Sequence, residues 1–245
     1  EYISYLTNKT KNSKTDINLI TNGAHLDSNT LNLLCKTNLN HLFISVQQWD
    51  QAGYYKRKIK KNISFEEYNK SITNAVKIFT RETDIKISLY YLISTSNDAQ
   101  NFLGNGYIDS NNKGYSILNK WFQFFKENEI NTYPLEEILK LQNNAEHEIG
   151  LTDRFSIIFK PFTTWGDYLR KKLPTSSNII PNNISCSHID GKTLAIFCDG
   201  QIGICCEDYD AEFNFGNIKD MSLNQVLNGK KYVSFLKNFN SGGPL

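Results

Sequence analysis

The chain has 245 residues, of which 40% are hydrophobic, enough for one large α/β domain or for a domain with a small appendage. Its formal net charge of +2 and sequence pI of about 8.2 exclude strong charge as a reason to expect a nucleic acid or a membrane surface as partner. No apolar run approaches the length that crosses a bilayer and no signal peptide opens the chain, so a soluble, cytoplasmic protein is expected.

In chain order, "EYISYLTNKTKNSKTDINLITNG" reads as the tail of a helix running into a strand. The strand, Asp16 to Asn22, is a short apolar run closed by Gly23. Ser28 is placed to cap a helix through about Lys36, with Leu31, Leu34 and Cys35 on one face. "HLFISV", His41 to Val46, is the next strand. Ser64 and Glu67 make a capping box opening a helix to about Phe79, in which Phe65, Tyr68, Ile72, Val76 and Phe79 recur at helical spacing. "IKISLYYLIS", Ile85 to Ser94, is a third strand.

Ser116 to Glu129 follows as a helix carrying Trp121, Phe122 and Phe125. A second helix, about Leu135 to His147, starts after Pro134. "RFSIIFKPF", Arg154 to Phe162, is a fourth strand. Strands alternating with helices predict parallel β-α units with the sheet covered on its outer face.

Beyond Leu173 the composition changes. "PTSSNIIPNN" reads as a linker, which gives a boundary between Pro174 and Pro181 and three regions, 1–173, 174–181 and 182–245. "TLAIFC" and "QIGICC" flank Asp199-Gly200, a dipeptide that predicts a two-residue type I′ hairpin. A short helix, about Ser222 to Leu227, closes the readable part, and no terminal element is expected after it.

Four of the five cysteines fall between Cys186 and Cys206. Three readings are open. They are buried as small hydrophobes, which suits Cys35 and Cys198; they form disulfides, which adjacent Cys205 and Cys206 are poorly placed to make with each other; or thiols from two hairpin arms supply part of a metal site. Cysteine count does not separate zinc from iron–sulfur.

The tail resembles a SPASM domain, the auxiliary iron–sulfur domain of peptide-modifying radical S-adenosylmethionine enzymes. The resemblance rests on Cys186, thirteen residues, Gly200, "QIGI" and Cys205, followed by Gly216, Asn217 and Ile218 and then by Ser222 and Leu223. It implies that Cys186 and Cys205 are cluster ligands, with Cys206 as a further candidate, and that Asn217 braces a turn at Gly216. Two thiolates do not hold a cubane by themselves, and "SGGPL" ends the chain where the family's downstream C-x-x-C pair would begin.

The front of the chain resembles the radical S-adenosylmethionine barrel of the same enzymes, strand by strand. "LITNGAHL" is similar to its third strand and turn, "LFISVQQWDQAGYYKR" to its fourth, and "FKPFTTWGDY", with Trp165 and Gly166, to its sixth. The fold implied is α/β: a partial (β/α) TIM-like barrel over 1–173 and a small hairpin-containing SPASM-like domain over 182–245. On such a barrel Asn22 and Ser45 lie at the strand ends beside the nucleotide, and Arg57 pairs with the methionyl carboxylate. Taken singly, each has a plainer reading: Asn22-Gly23 as a turn, Ser45 bonding backbone, Arg57 on a solvated face.

The family's CxxxCxxC loop is not among these residues, so the chain reads as part of a longer protein. The implied whole is a radical S-adenosylmethionine enzyme with 4Fe-4S clusters, a peptide or small-protein substrate and a reducing electron donor. The alternatives are a non-catalytic peptide-binding homologue, or an α/β domain with a zinc-stabilised tail. No catalytic acid or base is named: of the acids in the tail Asp208 and Asp210 are the candidates, and both read more simply as turn residues, as His25, His41, His147 and His188 read as ordinary surface or strand residues. A barrel beginning at its third strand is expected to leave a sheet edge open.

Overall fold

The computed structural model describes residues 2–47, 50–56, 63–93, 112–134, 148–161, 193–206, 208 and 210–241. The chain divides into two compact units, Glu1–Phe162 and Thr163–Leu245. The linker expected at 174–181 and the helix expected at 135–147 lie outside the described residues.

In the first unit the elements are α1 (Tyr2–Thr10), β1 (Asn18–Thr21), α2 (Ser28–Leu34), β2 (His41–Gln47), α3 (Gln51–Lys56), α4 (Phe65–Glu82), β3 (Lys86–Ile93), α5 (Asn112–Glu127), β4 (Glu148–Gly150) and β5 (Phe155–Pro161). The mixed α/β class is as the alternation of strand and helix predicts. β1, β2, β3 and β5 lie side by side and parallel, and β4 adds an antiparallel edge beside β5. β4 has no counterpart in the sequence reading because three residues, only one of them buried, carry too little pattern to be seen.

Local chemistry accounts for the helix starts. The capping box of α4 forms as predicted: Ser64 Oγ accepts from the Glu67 N–H at 3.1 Å and Glu67 Oε2 accepts from the Ser64 N–H at 2.9 Å. α2 corrects the reading by one residue. Its N-cap is Asp27, whose Oδ1 accepts from the Thr30 N–H at 2.9 Å, so Ser28 is the first helical residue.

The register sorts the strands into two faces. Leu42, Ile87 and Phe155 are level with one another, as are Ile44, Leu89 and Ile157. These join Leu31 and Leu34 of α2, Ile72, Val76 and Phe79 of α4, and Ile117, Trp121 and Phe125 of α5 in one buried cluster. The helices therefore cover the same face. Strand order advances in one direction without reversing, and crossovers of one hand then deliver each helix to one side, as in a barrel wall and unlike a doubly wound sheet. The described strands nevertheless form an open sheet, with β1 and β4 as its edges, and not a closed barrel. At the β1 edge Ile20 is 66% exposed.

The second unit holds β6 (Ala195–Ile196), β7 (Gln201–Gly203), β8 (Gly216–Asn217), α6 (Leu223–Leu227) and α7 (Lys230–Ser241), with the strands antiparallel in that order. Ile202, Phe215, Val226, Tyr232 and Phe235 form its core. The sequence reading stopped at α6, yet a helix of 12 residues follows. Tyr232 and Phe235 anchor it, and their meaning as a helical face depends on a core that lies earlier in the chain.

Candidate iron–sulfur hairpin and strand-end rim

The hairpin of β6 and β7 presents the cysteines. Its loop is not a two-residue type I′ turn, which needs positive φ at both central residues. Asp199 is not among the residues at positive φ, whereas Gly200 sits at φ +91°. The Gly200 N–H donates to the Phe197 carbonyl and the Phe197 N–H to the Gln201 carbonyl, both at 2.9 Å. Cys198, Asp199 and Gly200 thus form a three-residue loop ending in a positive-φ glycine. Cys198 is exposed there, which corrects its expected burial.

The Gly216-Asn217-Ile218 motif has a structural function that the geometry makes explicit. Asn217 lies in β8 and donates from Nδ2 to the Asp199 carbonyl at 3.3 Å, while Ile218 N–H donates to the Gly200 carbonyl at 2.9 Å. A Cβ on Gly200 would come within 2.6 Å of Asn217 Oδ1. Asn217 therefore braces the hairpin tip at Gly200, and not the turn at Gly216. Its Oδ1 also accepts from the Lys219 N–H at 2.9 Å.

Cys205 follows β7 and is buried in the core of the second unit beside Ile202, Ile204 and Phe215. Cys206, the next residue, is exposed. Asp208 organises the segment after them: its carboxylate accepts from the Glu212 and Phe213 N–H groups at 2.9 and 3.4 Å, and its own N–H donates to the Cys205 carbonyl. That is the turn role expected of it. Cys35, Cys198, Cys205 and Cys206 are free thiols, so the disulfide reading fails for them. Among the described residues no three His, Cys, Asp or Glu side chains group around a common point. Thiols are the donor type an iron–sulfur cluster takes, and two of them, Cys205 and Cys206, stand next to each other here, one buried and one exposed. Cys186 lies outside the described residues, as do His147, Trp165, Gly166 and His188.

In the first unit, Asn22 and Ser45 come to the C-terminal end of the parallel strands, where ligands bind in barrels of this winding. Asn22 Oδ1 accepts from the Ala24 N–H at 2.9 Å, so its side chain does shape the turn. The Asn22 carbonyl accepts from the Tyr68 hydroxyl at 2.8 Å. Ser45 is half-buried on the face away from the helices, opposite Tyr90, and its hydroxyl has no hydrogen-bond partner among the described residues. The backbone bonding that the plainer reading gave it is not made. Directly after Ser45 the register of β2 slips, with Val46 as an extra residue between Ser45 opposite Tyr90 and Gln47 opposite Tyr91. Such bulges re-aim side chains at sheet rims. Phe43 and Tyr90 stack at 5.3 Å beside Ser45, and the Lys160 ammonium lies 5.1 Å above the Tyr90 ring. Arg57 lies outside the described residues.

The sequence reading missed a set of polar residues on this same face. Ser88 and Ser156 are buried near the N-terminal ends of two apolar strands and are level with each other across β3 and β5. A serine inside an otherwise apolar strand is the signal that would have found them.

Residues 186–243 match the family model SPASM, described as an iron–sulfur cluster-binding domain. A search of the curated proteins finds no match to the chain. Among the described residues no helix is long and apolar enough to cross a membrane.

Proposed function

We propose that the chain is part of a radical S-adenosylmethionine enzyme that modifies a peptide or small protein. The observation that carries this reading is the match of residues 186–243 to an iron–sulfur cluster-binding domain whose family accompanies such enzymes. The sheet of the first unit supports it, because four parallel strands with α2, α4 and α5 packed on one face are what part of a barrel wall would look like. Cys186, Cys205 and Cys206 would hold the auxiliary 4Fe-4S cluster, and Asn22, Ser45 and Arg57 would hold the nucleotide. When bound, the clusters and S-adenosylmethionine would supply a 5′-deoxyadenosyl radical that takes a hydrogen atom from the substrate, with an external donor furnishing the electron.

The chain's own residues have definable parts in this. The hydroxyl of Ser45 would offer one donor and two acceptor lone pairs at the strand ends to a ribose or an amino-acid group. The stacked Phe43 and Tyr90 give an apolar wall beside it. The hairpin, fixed by Gly200 and Asn217, sets the direction in which the chain leaves β7 toward Cys205 and Cys206.

The test is iron and sulfide analysis of the anaerobically purified full-length protein, together with an assay for 5′-deoxyadenosine. Cys205→Ala should lower the iron content and Cys35→Ala should not. The Cys35 thiol is half-buried, and burial, with Glu82 adding to it, raises its pKa above the usual thiol value, which disfavours the thiolate a cluster needs. Equal iron in both variants removes Cys205 from the ligand set. Near-stoichiometric zinc without sulfide overturns the cluster reading.

A further inference from the structure

The sheet face away from the helices treats its polar groups differently at its two ends. Toward the N-terminal end they bond one another. His41 Nε2 lies 2.6 Å from Ser88 Oγ, Ser88 Oγ lies 2.6 Å from Ser156 Oγ, and Ser156 Oγ donates to Glu148 Oε1 at 2.6 Å. This line crosses β2, β3, β5 and β4 and satisfies the two buried serines.

Toward the C-terminal end the polar groups of the same face stand unpaired. Ser45, Tyr90 and Ile158 are level with one another, and Leu92 and Lys160 make the next level. All of these are half-buried except Lys160, which is exposed. Among the described residues the Tyr90 hydroxyl, like that of Ser45, has no hydrogen-bond partner, and the Lys160 ammonium has no carboxylate within ion-pair distance. The ammonium instead lies 5.1 Å from the centre of the Tyr90 ring, which itself stacks on Phe43 at 5.3 Å. Attraction to the ring draws the cation back over the face. Glu148 is level with Ile158, but its Oε1 is taken by Ser156, one level nearer the N-terminal end, so that carboxylate is held away from Lys160. A cation without a counter-ion, on a face otherwise made of Phe43, Tyr90, Ile158 and Leu92, meets an anion with less screening than in open water. A carboxylate suits it, having one oxygen for the ammonium and one for a neighbouring hydroxyl.

We propose that Lys160 and the Tyr90 hydroxyl form a subsite for a carboxylate of the peptide or small-protein substrate, next to the place given to the nucleotide at Ser45. This takes the kind of substrate from the function proposed above and adds a specificity residue to it. The carboxylate belongs to an acidic side chain or to a chain end, and the stacked Phe43 and Tyr90 are the wall beside which the rest of the peptide lies.

The test uses the full-length protein with S-adenosylmethionine present. Its probes are acetyl-Phe-Glu-amide, the neutral acetyl-Phe-Gln-amide, and acetyl-Phe-Gln with a free C-terminal carboxylate, with binding read by saturation-transfer NMR. A carboxylate peptide should bind about threefold to tenfold more tightly than the neutral one, the span between an exposed and a shielded charge pair. Which of the two does so tells a side chain from a chain end. Lys160→Gln should erase the preference and Lys160→Arg should keep it. Lys160 is exposed, so neither change opens the core. Equal affinities for the peptides, no binding by any of them, or a preference that survives in Lys160→Gln overturns the proposal. So does a loss of about tenfold in S-adenosylmethionine affinity in Lys160→Gln, which would give Lys160 to the cofactor's own carboxylate. Formation of 5′-deoxyadenosine, measured alongside, separates the two readings. A parent protein that forms none counts against the radical enzyme, whereas a missing preference in a protein that forms it counts against this subsite alone.

Discussion

Gly23 shows how one residue fixes the entrance to the strand-end rim. It sits at φ +78°, a conformation that costs most side chains a strain glycine escapes. Space is closed as well: a Cβ there would meet Ile72 Cδ1 at 2.6 Å and Ile44 Cγ2 at 3.0 Å. The turn lies against α4 and β2, and the Asn22 side chain closes it by accepting from the Ala24 N–H. Gly23→Ala is expected to destabilise the fold by more than about 1 kcal/mol, since backbone strain and steric overlap act together. Equilibrium denaturation checks it, and a variant as stable as the parent would mean that the turn has another way to close. At this scale "TNG" is legible as a turn from the sequence, whereas its contact with Ile72, forty-nine positions away in the chain, is not.

At the scale of elements, α4 is the most fully specified piece of the chain. Its capping box, its apolar stripe and its N-terminal acids agree with one another, and the helix forms where they place it, extending one turn further to Glu82. Ser64→Ala removes the acceptor for the Glu67 N–H and should cost about 1 kcal/mol, read as a lowered thermal midpoint. Glu67 adds a pH dependence. The Ser64 backbone N–H, and then its hydroxyl, hold the Glu67 carboxyl below the ordinary carboxylate range. A depressed acid pKa stabilises the fold above the unfolded value of 4.5, and that stabilisation is lost as pH falls through the folded-state value. In Ser64→Ala the Glu67 carboxyl should titrate closer to 4.5. Contrast the hairpin of β6 and β7: Asp-Gly announces a turn, but the loop that forms has three residues, with Asn217 of β8 bonded to the Asp199 carbonyl and standing where a Cβ on Gly200 would go. Turn chemistry is local, and the loop register is settled by the neighbouring strand.

On the scale of the whole molecule, the chain carries two separate cores. One lies between the parallel sheet and α2, α4 and α5, and the other is built on Ile202, Phe215, Val226, Tyr232 and Phe235. Chains with more than one core depart from two-state unfolding. Denaturation followed by circular dichroism should therefore resolve two steps. Phe79→Ala, at a fully buried site, should lower one of them by about 3–5 kcal/mol, and Phe235→Ala should move the other. A single transition displaced by both substitutions would show instead that the two cores unfold as one.

By itself the sequence determined the four parallel strands, the helices α2, α4 and α5 among them, though not α3, and the glycine–cysteine–asparagine signature of the tail. Each is written in periodicity, capping or turn chemistry within a short window, and such patterns survive without knowledge of what packs against them. Tertiary structure alone decided the rest. It placed β4 on the edge, docked α7 on the second core, left Cys198 exposed while burying Cys205, and aligned His41, Ser88, Ser156 and Glu148 across four strands. The reason is distance along the chain. His41 and Ser88 are 47 positions apart and Ser88 and Ser156 are 68, and no local window contains the register that brings their hydroxyl and ring atoms within 2.6 Å.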